Sequence, residues 1–110
     1  MAVAPSWAWS RAATSGCDRG ETFVDHHTFL CFDTPTTGLN HLSFEVQSFD
    51  DLMVGLEHLR GAGKYRHVWG VGRHLLGSQI FDYWADPWQR VHEHWTDSDM
   101  LNARAKAGLH

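Results

Sequence analysis

One helix signature set among strand patterns constrains this chain most. "SFDDLMVGLEHLRGAG" (48–63) opens on Ser48 with Asp51 three residues on, runs an apolar stripe through Phe49, Leu52, Leu56 and Leu59, and stops at Gly61 and Gly63. A hydroxyl before the first turn, helical spacing of apolar residues and terminal glycines mark a capped amphipathic helix. The segment before it has period two: in "HLSFEV" (41–46), Leu42, Phe44 and Val46 take one face and His41, Ser43 and Glu45 the other. If the apolar face packs under the helix, His41 points to the opposite, cupped side.

Strand patterns surround this unit. "TFVDHHTFLCF" (22–32) alternates and ends at the turn-rich "DTPTTG", while "YRHVWGVGRH" (65–74) reads as a glycine-punctuated strand leading into a loop. "SQIFDYWAD" (78–86) and "QRVHEHW" (89–95) read as two strands joined by a tight turn at Asp86-Pro87-Trp88. From Thr96 onward a single helical turn around Met100–Ala105 is expected. Strand, helix and three strands, with one strand preceding them, make an α+β fold: a curved mixed sheet with the helix on its convex face. The 110 residues suit one small core, read as an N-terminal tail (1–20), a domain (21–96) and a C-terminal tail (97–110). The segment "MAVAPSWAWSRAATSG" is read as an unstructured tail.

Composition narrows the function. A net charge of −4 without a basic run gives no electrostatic footprint for nucleic acid or anionic membrane. No apolar stretch approaches a bilayer span, and Cys17 and Cys31 form no CxxC, so a cytoplasmic, reducing setting is expected. The informative excess is histidine, nine residues clustered with acids and aromatics. In "RVHEHW" (90–95), His92 and His94 share one strand face and Glu93 the other, so the run holds two rival sites. Similar parity groups His27, Phe29 and Cys31 on one strand and Phe81, Tyr83 and Ala85 on another. A site containing His41, Tyr83 and Glu93 is then natural, although parity alone does not fix which face of each strand is concave. His58 and His67 read as structural or solvated, and Trp84, Trp88 and Trp95 as packing around the turn.

"HHT" (26–28), "NHLSFEV" (40–46), "GRH" (72–74), "FDYWADP" (81–87) and "VHEHW" (91–95), taken together, resemble the C-terminal part of type I extradiol ring-cleaving dioxygenases. These are the catechol 2,3-dioxygenase-like members of the vicinal oxygen chelate superfamily, which also contains glyoxalase I and bleomycin-resistance proteins. The resemblance covers about residues 17–99 and keeps order and spacing, with 14 residues from His27 to His41, nine from His74 to Tyr83 and ten from Tyr83 to Glu93. It implies one βαβββ module and Fe(II)- and O2-dependent cleavage of a catecholic ring, at a site of two His and one carboxylate that occasionally holds Mn(II). Carried over, His41 and Glu93 are metal ligands, His27 is the acid/base group, and Tyr83 and His74 address the substrate oxygens. The departure is upstream. The family's first His ligand lies on a strand before the "HHT" strand, and this sequence has no His before His26. The reading is therefore of a partial domain with two of three ligands, either an enzyme or a non-catalytic module that forms a homo-oligomer or pairs with another module. The expected small ligand is a catechol.

Overall fold

The computed structural model describes residues 12–106, as β1 (Ala12–Ser15), β2 (Val24–Asp25), β3 (Phe29–Phe32), β4 (Leu42–Glu45), α1 (Phe49–Ala62), β5 (Arg66–Arg73), β6 (Ile80–Ala85), β7 (Val91–Thr96) and β8 (Met100–Leu101). They fall into two units, residues 39–99 and residues 12–38 with 100–106.

The larger unit has the expected α+β, strand–helix–strand–strand–strand order. Its sheet runs β4-β7-β6-β5, with β4 parallel to β7 and the other neighbours antiparallel. α1 begins and ends where the sequence indicates: Ser48 Oγ accepts from the Asp51 amide at 3.2 Å, and Gly63 closes the last turn at φ 67°. The left-handed value at the last position is where glycine is least costly. Leu52 and Leu56 are the buried part of the stripe, each worth about 1.5–3 kcal/mol of burial.

The helix packs over β6 and β7, and this overturns one expectation. β4 is the sheet's outer strand, so Leu42 and Phe44, on the helix side by register with His92 and His94, remain 48% and 52% exposed instead of joining the core. The core is carried by β6, where Phe81, Tyr83, Trp84 and Ala85 are all buried. β6 and β7 form the expected hairpin. Its turn is organised by Asp86, which accepts from the amides of Trp88 and Arg90, with Gln89 at φ 65°. Of the three tryptophans read as packing around that turn, Trp88 lies beneath Arg90 although largely exposed, Trp84 is buried on the helix side near Asp86, and Trp95 takes the opposite face.

In the smaller unit the single strand expected over 22–32 is two short ones. β2 pairs antiparallel with β8, and β3 with β1. "DHHT" interrupts the alternation, and the chain bends there. β1 lies within the segment read as a tail; its first eleven residues lie outside the described residues. The helical turn expected near Met100 is β8 instead, because Met100 and Leu101 gain partners in Asp25 and Val24.

Candidate active site

Four strands place one row of side chains across the face opposite α1. The register aligns Ser43 on β4 with Glu93 on β7, Glu93 with Tyr83 on β6, and Tyr83 with Trp69 on β5. His41 enters just before β4. His74 follows β5, its amide tied to the Gln79 carbonyl at 2.8 Å. All of these residues lie in the larger unit.

Glu93 is the hub, only 6% exposed. Its Oε2 accepts from Ser43 Oγ at 2.5 Å and lies 3.1 Å from His41 Nε2, while Oε1 lies 3.5 Å from His74 Nε2. Desolvation pushes its carboxyl up, but hydrogen bonds from His41, Ser43 and Tyr83 outweigh that, and its pKa is lowered. Tyr83 moves oppositely. Burial, then the Glu93 charge, then the bond to Glu93 drive its phenol well above the ordinary range, so it stays protonated. Its hydroxyl also lies 3.0 Å from His74 Nε2.

Trp69 completes the row. Its indole stacks on Tyr83 at 5.8 Å and lies tilted against Phe81 at 4.4 Å, yet stays 58% exposed beside the site. Ser43 and Trp69 are site residues to which sequence reading assigns no role. Strand parity is the signal that reveals Ser43, since it shares a face with His41. For Trp69 the register slips between His67 and Trp69 and between Gly70 and Gly72, so simple alternation along β5 does not report its face.

The donors fit a cation in part. His41 Nδ1 lies 2.6 Å from Asn40 Oδ1 and Nε2 lies 3.1 Å from Glu93 Oε2, so the two ring nitrogens sit between oxygen acceptors, and the Nε2–H given to Glu93 is the proton a metal ion would replace. Two ligands about 2.1 Å from one ion at a right angle stand about 3 Å apart, which matches. Among the described residues, however, no group of three His, Cys, Asp or Glu is arranged to hold a metal.

His27 belongs to the smaller unit, in the bend between β2 and β3, where its Nδ1 lies 3.0 Å from that of His26. His92 and His94 face α1, on the other side of the sheet from Glu93, as parity indicates. His92 bonds Asp86 at 3.1 Å and stacks on Phe44. His67 has a firmer structural role than expected: its Nε2 lies 2.6 Å from Asp82, a carboxylate with no exposed surface that also accepts from Trp84 Nε1.

Over 79 residues, 72% of this chain, the sequence is 34% identical to Metapyrocatechase 2 from Cupriavidus necator. The chain spans about a quarter of that relative's length, 24%. No family model and no solved structure matches the sequence. Among the described residues, no helix is long and apolar enough to cross a membrane.

Proposed function

We propose that the chain is an extradiol dioxygenase-like module that binds a catechol in the cup above Glu93 and opens its ring beside one hydroxyl, using Fe(II) and O2. The convergence of His41, His74, Tyr83 and Glu93 on one sheet face carries this reading. It is supported by the likeness to Metapyrocatechase 2, whose name refers to ring cleavage of catechol.

His41 and Glu93 would hold the Fe(II), or occasionally Mn(II), which when bound supplies electron transfer between the ring and dioxygen. Tyr83, kept protonated, donates to a substrate oxygen. His74, within hydrogen-bonding distance of that hydroxyl, takes up or returns a proton at Nε2. The resemblance also implies His27 as an acid/base group; it lies in the smaller unit, and the cup stands without it. Trp69, Phe81 and Tyr83 give the cup an aromatic wall that orients a flat ring and keeps water from one side. The described residues supply two of the three protein donors of a facial triad, so the chain by itself could hold the ion without turning substrate over.

The test is anaerobic loading of the chain with Fe(II), addition of catechol, and admission of air. A yellow ring-cleavage product that His41→Ala and Glu93→Gln each abolish is expected. Absence of both colour and catechol-dependent Fe(II) binding would overturn the proposal. A second reading, a non-catalytic module that pairs with a copy of itself or another module, is favoured by the uncovered Leu42 and Phe44 on the outer strand. Metal binding without colour, with a dimer in light scattering, would select it.

A further inference from the structure

On the side of the sheet away from the cup, α1 does not close fully against β6 and β7. A partly open cavity of about 160 Å³ remains, lined by Leu59, Tyr65, Trp84, Asp86, His92 and His94 among others. Glu93 and His94 are consecutive on β7 and point to opposite faces, so this space is separate from the cup.

Its walls are fixed before any ligand arrives. The Trp84 indole is held by Nε1 donating to Asp82 Oδ2 at 2.6 Å and by His67 packed against it with ring centroids 4.5 Å apart. Asp86 accepts from Arg90 Nε at 2.6 Å and from His92 at 3.1 Å, so that carboxylate is engaged. Arg90 and His92 also lower its pKa against the opposing effect of desolvation, so it remains an anion. His94 is different. It is half-buried, lines the cavity, and makes no hydrogen bond to any described residue. Opposite it on α1 stands Gly55, at which an added Cβ would be in ordinary van der Waals contact with His94 Nδ1, at 3.9 Å, so the helix face over this ring carries no side chain.

Size and chemistry together narrow the ligand. An apolar cavity of roughly 150 Å³ holds a single benzene ring. Tyr65 and Trp84 favour an aromatic occupant through offset or edge contacts. Water is a poor occupant where the unengaged polar group is one imidazole, since a buried water needs two to four partners. The fixed Asp86 charge disfavours anions. We infer that this cavity is a second ligand site, for a neutral monocyclic phenol whose ring lies between Leu59, Tyr65 and Trp84 and whose hydroxyl bonds His94. The inference stands on this face of the sheet alone and does not depend on ring cleavage in the cup.

Calorimetric titration of the full chain with phenol and with toluene tests it. Phenol binds the unaltered chain; His94→Leu weakens phenol by about 2- to 12-fold, the worth of one hydrogen bond, and leaves toluene unweakened. Leu59→Trp fills the space and abolishes both, while His41→Ala, in the cup, changes neither. Should Leu59→Trp fail to fold, chemical-shift mapping of the unaltered chain replaces it, with phenol shifting the Trp84 indole N–H and Tyr65. Lack of phenol binding, a His94→Leu variant that binds phenol normally, loss of binding in His41→Ala, or shifts confined to Trp69 and Tyr83 would each overturn the assignment.

Discussion

Glu93 draws His41, Ser43 and Tyr83 to one buried carboxylate, and its stability contribution should be visible in pH dependence. Its folded pKa is lowered, so the contribution is present above the unfolded value of 4.5 and is lost as pH falls through the lowered one. Glu93→Gln should cost about 1.5–3 kcal/mol at neutral pH, the worth of hydrogen bonds to a charged group, and should flatten the acid limb of a stability profile followed by urea unfolding. Tyr83 has the opposite sign, being raised above its unfolded value of 10.0, so its contribution is present below pH 10 and is lost as pH rises through the folded value. Ultraviolet titration of the two tyrosines should show a phenol ionising above the ordinary range, and Tyr83→Phe should remove that step. Alternation made His41, Tyr83 and Glu93 legible in the sequence, because parity survives wherever a strand stays regular. Asp82 was not legible. An acid between Phe81 and Tyr83 looks like a solvent-facing residue, and its burial rests on Trp84, two residues on along the same face, and on His67 from the neighbouring strand, whose approach the local pattern does not show.

At the scale of elements, the helix was readable to within a residue at each end because its caps are chemical groups at fixed positions. Ser48→Ala removes the bond to the Asp51 amide and should cost about 1 kcal/mol in denaturant unfolding. β5 owes its fit to glycine. Gly70 sits at φ 121°, and a Cβ there would stand 2.9 Å from the Phe81 carbonyl oxygen, too close for any real contact. Gly70→Ala should therefore cost at least 1–3 kcal/mol and broaden the resonances of Trp69 and Tyr83. The N-terminal strands were the least legible elements. Pairing partners 14 to 77 residues away decide their extents, as Val24 with Leu101 shows, and local pattern carries no record of such partners.

For the molecule as a whole, every strand pairing that builds the cup is internal to residues 39–99. That fragment, expressed alone, should retain the circular dichroism of one helix and a sheet and unfold in a single cooperative transition; a featureless, non-cooperative denaturation curve would contradict this. The overall α+β order was readable from periodicity, whereas the uncovered outer strand was not, because periodicity tells which residues share a face and not how far a helix reaches across it. The parallel partnership of β4 and β7 also has a consequence in time. His41 and Glu93 are 52 residues apart, and a parallel pair cannot be closed by a hairpin turn, so the intervening helix and β5–β7 antiparallel pairs precede it. Tyr83 and Glu93 are brought together early by a local hairpin, whereas His41 docks last. During refolding, recovery of the native Tyr83 environment should therefore run ahead of recovery at His41, and the two halves of the site should mature on separate clocks.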